Sequence, residues 1–346
     1  MSVWAVHLRP RGAFHLGERG IGYEETAEWI HADTLFGALC AAWVVLYGED
    51  ALTADLLPPR PVPREWTPPF VLSSAFPYAG SVRFFPAPLL PPPVPDPAAW
   101  SDVAWVSDSL FRAWVRREPL DESVRLHGGA VAMARPEAEM LAQELEDRRL
   151  VTDPGSVRLW AQERVARVTL DSTSHASQLW HFGRLQFREG CGLFFLMRIL
   201  RVKEERLRAA LRLLGDTGIG GDRSAGHGLF EADWSAFDPP WQSPPEARGF
   251  VTLAPVWPRA DQLVELLADG CRYRLVTRTG WIGSALPSPY RRKAVRMFAE
   301  GSVLGGDPHR LWGTLADVTP EATPEPIHPV YRWGVAFPVP CEVRPP

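Results

Sequence analysis

The chain has 346 residues, of which 46% are apolar and 23% charged, the composition of a soluble globular protein of about two domains. Its formal net charge of −4 excludes a protein that binds nucleic acid through overall charge alone. The longest uncharged apolar stretch, residues 34–48, is shorter than the ~20 residues that span a bilayer, and no secretory signal is visible. We therefore expect a cytoplasmic protein with no membrane partner.

The four cysteines are widely separated and form no CxxC pair, which argues against structural zinc and against a disulfide framework. Two of them, Cys40 and Cys191, lie within apolar runs, where a thiol behaves as a small hydrophobic group. Free buried thiols are typical of a reducing compartment. We expect no metal and no other cofactor.

Almost all basic side chains are arginines, since Lys203 and Lys293 are the only lysines among 37 basic residues. Arginine binds phosphate bidentately and stacks on bases better than lysine does. A GC-rich genome is the better explanation for the bias itself. Only clusters of arginines are therefore informative.

The first part of the chain predicts a strand, a buried helix and an irregular insertion. Residues 3–9 alternate as in a strand, and residues 34–46 are apolar on nearly every face of a helix that Asp33 can cap. The proline-rich stretch 58–97 predicts an irregular insertion, because proline removes sheet donors and breaks helix interiors. Its aromatic side chains indicate that it packs on the domain, and we expect part of residues 66–90 to dock on a partner.

The following segments complete a β-α-(insert)-β-β-α-β order. Helices are expected at 108–116, 136–148 and 203–214, and strands at 157–169, 178–188, 192–200 and 229–234. This order predicts an α+β fold with a ferredoxin-like (RRM-like) domain over residues 1–234, into which an insertion is placed at about 50–155.

A second, shorter ferredoxin-like domain is predicted over residues 249–346, after a proline-containing linker at 235–248. Its expected elements are a helix at 258–268 and strands at 250–255, 271–279 and 331–338. No tandem repeat relates the two domains.

The sharpest local signal is the sequence GIGGDRSAGHG at residues 218–228. It lacks the ending of a nucleotide P-loop, and it follows a helix, the reverse of a dinucleotide fingerprint. Glycines let backbone N–H groups face an anion, and the central Arg-Ser pair adds phosphate donors. A tight turn is the plain alternative. We predict phosphate contact by Gly218, Gly220, Gly221, Arg223, Ser224 and Gly226.

Catalytic patterns are scarce. No HExxH and no GxSxG sequence is present. His31 stands two residues before Asp33, an arrangement that more often packs and hydrogen-bonds than serves as a general base. The sequence therefore predicts a protein that is not an enzyme.

Two further basic clusters are candidates for nucleic-acid contact. Arg164 and Arg167 lie three apart in a predicted strand, so alternation places them on opposite faces unless a bulge intervenes. The second cluster is a run of cations beside an exposed proline-containing loop, Arg291, Arg292 and Lys293. Trp281 and Tyr290 flank this run and can stack on bases.

Several long strings resemble one protein family, in order along the chain. They are HLGERGIGYEETAEWIHADTLFGALCAAW, FVLSSAFPYAGSVRFFPAPL, GIGGDRSAGHGLFE and YRRKAVRMFAEGSV. They are similar to the RAMP proteins of type III-A CRISPR systems known as Csm subunit four. The resemblance covers nearly the whole chain except residues 95–155.

This resemblance implies two ferredoxin-like domains, a thumb-like hairpin and no nuclease activity. It implies a subunit that caps the 5′ handle of a CRISPR RNA and bridges the large Cas-ten-family signalling subunit to a backbone RAMP subunit. The glycine-rich sequence would contact the RNA backbone, and so would Arg164, Arg167 and the 291–293 run. Arg19 and His31 in the amino-terminal motif are further candidate contacts.

Two alternatives stay open. One is a RAMP endoribonuclease that processes CRISPR transcripts, with His31 or His15 near the first helix as its base. The other is an architectural bridge whose glycine loop contacts protein.

Overall fold

The computed structural model describes residues 2–17, 26–120, 122–170, 177–239, 247–282, 290–321 and 328–343. Its helices are α1 (Ala32–Asp55), α2 (Asp108–Val115), α3 (Arg135–Glu144), α4 (Arg149–Thr152), α5 (Glu204–Thr217) and α6 (Leu263–Leu266). Its strands up to residue 134 are β1 (Val3–Pro10), β2 (Phe70–Leu72), β3 (Phe76–Ala79), β4 (Val82–Pro86), β5 (Trp105–Ser107), β6 (Ser123–Leu126) and β7 (Val131–Ala134). The later strands are β8 (Trp160–Leu170), β9 (Ser177–Phe187), β10 (Cys191–Ile199), β11 (Phe230–Phe237), β12 (Gly249–Thr252), β13 (Leu275–Arg278), β14 (Val295–Phe298), β15 (Val303–Gly305), β16 (Ala316–Asp317), β17 (Tyr331–Arg332) and β18 (Pro338–Cys341).

One mixed sheet organises the amino-terminal two thirds of the chain. Its strand order is β11-β1-β10-β3-β4-β5-β7-β6, and β2 also pairs with β10. Helices α1 and α5 pack against each other. The elements β1, α1, β2 with β3, β10, α5 and β11 run in β-α-β-β-α-β order. This differs from the prediction in detail, because β2 and β3 come from the stretch expected to be an insertion, and the predicted strands 157–169 and 178–188 lie outside this sheet. Seven consecutive residues of β10 are buried, as expected of a strand covered on both faces.

The proline-rich stretch is more regular than the sequence predicts. Three strands, β2, β3 and β4, lie within it and join the main sheet. Four of its aromatic side chains have no solvent exposure, Phe70, Phe76, Phe84 and Phe85. The expectation of an irregular insertion is therefore wrong for residues 70–86. The expectation that part of residues 66–90 docks on a partner stays a prediction, although these four aromatic rings fill the core of this chain.

Helix α1 is longer than the predicted 34–46. By length and composition it is apolar enough to cross a bilayer, but Gly48 has a non-helical φ of 84°, which interrupts it. Its inner face contributes Leu35, Phe36 and Trp43 to the core, each at most 2% exposed. Packing within the fold accounts for only part of its apolar composition, because Val45 is 74% and Leu46 40% exposed. The expectation of a helix buried on nearly every face is therefore wrong.

Strands β8 and β9 form a two-stranded hairpin that is a separate sheet. The pairing runs residue for residue from Trp160↔Phe187 to Leu170↔Ser177, without a bulge. A single backbone bridge between Phe14 and Leu185 connects the hairpin base to the segment after β1.

The carboxyl-terminal region differs from the predicted second ferredoxin-like domain. Its described strands form three small sheets, β15-β12-β18, β13-β14 and β16-β17. The predicted helix 258–268 shrinks to a 3₁₀ turn followed by α6, and the predicted strand 331–338 divides into β17 and β18. This arrangement does not confirm a second ferredoxin-like domain.

One hydrophobic cluster spans the two regions, beside two smaller clusters within the carboxyl-terminal region. The ring centroid of Trp333 lies 4.9 Å from that of Phe36 and 5.4 Å from that of Phe70. Strand β11 continues to Phe237, so the polypeptide leaves the main sheet three residues after the predicted linker start at 235. The carboxyl-terminal region therefore packs directly on α1 and β2.

Candidate nucleic-acid interface

The glycine loop, residues 218–228, connects α5 to β11 and is anchored by its own backbone. The N–H of Gly221 donates to the carbonyl oxygen of His15 at 2.9 Å, and the N–H of Gly228 donates to that of Ala13 at 2.9 Å. The N–H of Ile219 donates to the carbonyl oxygen of Gly228 at 3.0 Å. These donors are satisfied within the chain and are not directed at a ligand.

Several glycines of the loop are required by close packing against the same chain. A Cβ at Gly220 would lie 2.4 Å from the carbonyl oxygen of His15, and one at Gly221 would lie 2.6 Å from Cδ2 of the His15 ring. A Cβ at Gly218 would lie 2.7 Å from the carbonyl oxygen of His227. The sequence predicted that these three glycines contact phosphate. In the structure they are instead required because a side chain at each position would collide with other parts of the same chain.

The outer arc of the loop, residues 223–226, is its open part. Arg223 and Ser224 are exposed, and their side chains make no hydrogen bond or ion pair within the described part of the chain. Gly226 has a φ of 82°, and a Cβ there would meet nothing within 4 Å. This arc therefore has space and free donors for an anion. The inner glycines have neither.

The hairpin adjoins the loop through Arg167. Its Nη1 donates to Oδ2 of Asp222 at 2.6 Å, and its guanidinium carbon lies 4.3 Å from the ring centroid of Phe182. Arg164 is exposed and makes no hydrogen bond or ion pair with another described residue. Because the ladder has no bulge, the two arginines lie on opposite faces, as predicted. Only Arg167 is joined to the glycine loop.

Two histidines complete this junction, of which the sequence named His15 only as a candidate base of the alternative endoribonuclease. Nδ1 of His15 donates to the carbonyl oxygen of Gly183 at 2.7 Å, and its ring centroid lies 4.5 Å from that of Phe182. His227 lies 5.0 Å from the Phe182 ring, and its Nδ1 is 3.3 Å from Oδ2 of Asp222. Burial, opposed by the Asp222 charge, lowers the pKa of His227. Nothing local in the sequence links these residues, which lie about 200 positions apart.

His31 does not lie at a surface. Its side chain is buried, and Nδ1 lies 2.7 Å from Oε1 of Glu300, which also accepts from the hydroxyl of Ser74. Burial opposes ionisation of Glu300, but His31 and the hydrogen bonds around it outweigh that effect and lower its pKa. The expectation that His31 contacts RNA is therefore corrected, because its ring joins α1 to the turn after β14.

Asp33 is not the helix cap that the sequence predicts. The N-cap residue is His31, which makes no side-chain cap bond, and Asp33 lies inside the first turn of α1. Its carboxylate accepts from Nε and Nη2 of Arg278, each at 3.1 Å, and from Nη1 of Arg332. Asp33 thus holds the carboxyl-terminal region to α1.

The cations of the 291–293 run have three different environments. Arg291 is exposed, and its guanidinium lies 5.3 Å from the ring centroid of Trp281. Nζ of Lys293 lies 3.2 Å from Oε1 of Glu321. Arg292 is only partly exposed, and burial together with the nearby charge of Arg278 lowers its pKa. The run is therefore not a uniform basic surface.

Two remaining expectations concern Arg19 and a metal site. Arg19 lies outside the described residues. Within the parts of the chain that the structure describes, no three His, Cys, Asp or Glu side chains are grouped so that they could hold a metal ion.

Comparison with known proteins gives consistent matches. The family model for the CRISPR Csm4 C-terminal domain matches residues 245–341. A CRISPR system protein Csm4 of Thermococcus onnurineus (strain NA1) is 29% identical over 346 residues, covering 98% of this chain and 96% of that protein. A Csm4 of Mycobacterium tuberculosis (strain CDC 1551 / Oshkosh) is 29% identical over 172 residues, covering 49% of this chain and 53% of that protein.

Two solved structures share the fold. A chain in the crystal structure of the Csm3-Csm4 subcomplex of the type III-A interference complex matches with a TM-score of 0.66 and 16% identity, covering 98% of this chain and 99% of that one. A chain in the Csm1-Csm4 cassette with cA4 matches with a TM-score of 0.57 and 21% identity, covering 99% of each chain.

Proposed function

We propose that the chain is a member of the Csm4 family of type III-A CRISPR proteins and a non-catalytic subunit that binds the 5′ handle of CRISPR RNA; the family-model match and the whole-length relative support this. In this role it caps the guide at one end of an effector ribonucleoprotein in antiviral defence. It is cytoplasmic and uses no cofactor. Its carboxyl-terminal region is a diverged second RRM-like unit.

One observation carries the RNA-binding part of this proposal. The exposed arc of the glycine loop, with Arg223 and Ser224, stands beside a long hairpin to which Arg167 and Asp222 join it. Single-stranded RNA is held by backbone clamps together with elements that splay its bases. The arc supplies donors for phosphates, and the hairpin supplies a projecting element. Arg164, Arg291 and Lys293 are further proposed RNA contacts.

The partner proteins follow from the same family. The similar chains occur in structures of the Csm3-Csm4 subcomplex and of the Csm1-Csm4 cassette. We propose that this chain likewise joins a large Cas-ten-family signalling subunit to a backbone RAMP subunit. A local groove inside such a complex fits an RNA-binding protein whose net charge is −4.

The test is crosslinking of guide RNA in the assembled complex. RNA that co-purifies with the complex, crosslinked by ultraviolet light, should attach to peptides from residues 218–228 and from the β8–β9 hairpin. Crosslinks found only on the other subunits would refute the handle-binding role. The glycine loop would then be a contact for protein.

A RAMP endoribonuclease is the second candidate function. The burial of His31 against Glu300 and the bond from His15 to Gly183 disfavour it, since neither imidazole faces an open surface as a general base must. The purified chain should leave precursor RNA intact with or without magnesium or manganese. Cleavage that disappears in a His31→Ala variant would establish the enzyme instead.

A further inference from the structure

Three arginine side chains meet near the amino-terminal turns of α1. Arg278 and Arg332 both bind Asp33, and Nη2 of Arg332 also donates to the carbonyl oxygen of Thr279 at 2.7 Å. The backbone N–H of Arg292 donates to the carbonyl oxygen of Gly280, the next residue, at 2.9 Å. The backbone of Arg292 therefore lies next to the segment that Arg332 contacts, and the charge of Arg278 lowers the pKa of the Arg292 guanidinium.

Asp33 already accepts hydrogen bonds from two guanidinium groups. Its Oδ1 accepts from Nη2 of Arg278, and its Oδ2 accepts from Nε of Arg278 and from Nη1 of Arg332. Both oxygens lie in a side chain with no solvent exposure. Arg278 and Arg332 thus share a single buried anion.

Arg292 has no anionic partner within the described part of the chain. Its Nε is buried without a hydrogen bond, and no other atom of its side chain has a hydrogen bond or ion pair there. The thiol of Cys40 lies nearby, but burial raises its pKa to about 12, so it is neutral. The adjoining sequence GSALPSP at residues 283–289 contains no Asp or Glu.

The neighbours of Arg292 differ from it in this respect. Lys293 is paired with Glu321, and Arg291 stacks on Trp281, whose side chain is 45% exposed. A guanidinium that is withdrawn from water without a partner is unfavourable and favours the binding of an anion. Arg292 is thus the one cation of the run that is withdrawn from water with its charge uncompensated by the described residues.

We propose that Arg292 forms an anion site that takes a backbone phosphate of the bound RNA. This inference rests on the proposed function and deepens it. The planar guanidinium donates two parallel hydrogen bonds to phosphate oxygens. The phosphate replaces the missing carboxylate and neutralises a charge that the free chain leaves unpaired.

This role predicts effects of opposite sign on stability and on binding. Arg292→Met keeps the aliphatic length of the side chain and removes the charge, so the free chain should melt at the same or a higher temperature. The same variant should bind guide RNA at least tenfold more weakly, with a salt dependence reduced by about one phosphate contact. Arg292→Lys keeps the charge but not the planar fork, and its affinity should be intermediate.

The experiment combines melting curves of the free chain with RNA-binding isotherms at several salt concentrations. Arg296→Met is the matched control, because Arg296 is exposed on β14 and lies four positions away. It should change neither quantity by a comparable amount. A lower melting temperature for Arg292→Met with unchanged RNA affinity would overturn the proposal and make Arg292 a structural residue.

Further arms separate this inference from the proposed function. If the wild type binds no guide RNA, both fail; if it binds and Arg292→Met binds equally well, only the inference fails.

Inorganic phosphate should raise the melting temperature of the wild type but not of Arg292→Met. If phosphate does so while RNA affinity is unaffected by the variant, the ligand is a free phosphate compound and the RNA assignment falls. If the variant weakens only assembly with another subunit, the anion is a protein carboxylate, and the proposal is again wrong.

Discussion

The carboxylate of Asp222 accepts a hydrogen bond from Nη1 of Arg167 at 2.6 Å, and this contact joins the glycine loop to the β8–β9 hairpin. The two side chains are 21% and 30% exposed, respectively. Phe182 packs on the same guanidinium from the hairpin side. The loop and the hairpin are therefore coupled through a shielded ion pair, and RNA would meet them as one unit.

The ion pair should contribute a measurable coupling energy. A hydrogen bond between charged groups stabilises by about 1.5–3 kcal/mol, and partial exposure places this one at the lower end of that range. A double-mutant cycle with Arg167→Gln and Asp222→Asn, followed by urea unfolding, isolates the pair from the other contacts of Arg167. Additive effects of the two substitutions would contradict the coupling.

Two glycines of the loop should respond differently to alanine. Gly220 and Gly226 both have a positive φ, 99° and 82°, so both variants carry the same kind of backbone strain. Only at Gly220 does the new Cβ collide with the backbone, 2.4 Å from the carbonyl oxygen of His15. We expect Gly220→Ala to lower the free energy of unfolding by about 1–3 kcal/mol more than Gly226→Ala does. Equal losses in denaturant unfolding would mean that the loop does not pack on His15.

Arg223→Ala should weaken binding of guide RNA by roughly tenfold, since one charge-assisted contact is worth about 1.5–3 kcal/mol and ~1.4 kcal/mol is a factor of ten. The loss should be similar for different handle sequences, because phosphate contacts position RNA without reading bases. Binding isotherms at several salt concentrations measure both effects. Arg148→Ala is the control, because Arg148 is also exposed and no contact joins it to the described loop. A sequence-dependent loss would instead indicate a base contact.

Stability at acidic pH should depend on Glu300. Its pKa is lowered in the folded chain from 4.5 to about 2. The stabilisation is therefore complete above pH ~4.5 and is lost as the pH falls towards 2, because the unfolded chain takes up the proton first. The slope approaches 1.4 kcal/mol per pH unit in this window.

Melting temperatures between pH 7 and pH 3 test the prediction on wild type and on Glu300→Gln. The variant should start from a lower melting temperature and lose less of it on acidification. Parallel curves for the two proteins would show that Glu300 titrates normally.

Local sequence patterns predicted many helices and strands of the fold but not which residues pack against them. The strand at 3–9, the helix at 203–214 and the hairpin strands match β1, α5, β8 and β9 within a few residues. Strands β2 to β4 were missed because residues 70–86 carry prolines and, being almost entirely buried, show no alternation. Helix α1 was found, but not its second segment, which continues to Asp55 beyond the interruption at Gly48.

The same holds for the candidate site, of which the sequence predicted one part and missed another. The density of glycines around Arg223 identified the loop directly from the sequence. The reason for Gly220 and Gly221 is His15, a residue about 200 positions away, and the partner of His31 is Glu300. No pattern in the sequence predicts such long-range contacts.

The sequence by itself determined which residues carry charge, which segments form helices and strands, and that residues 218–228 turn tightly. Only the tertiary structure decided that Asp33 neutralises Arg278 and Arg332, that His31 is buried, and that Arg292 is left without a carboxylate among the described residues. The physical reason is that propensity and periodicity act between residues a few positions apart. Burial and charge pairing are set by groups that meet only when distant segments pack together, and here those segments come from opposite ends of the chain.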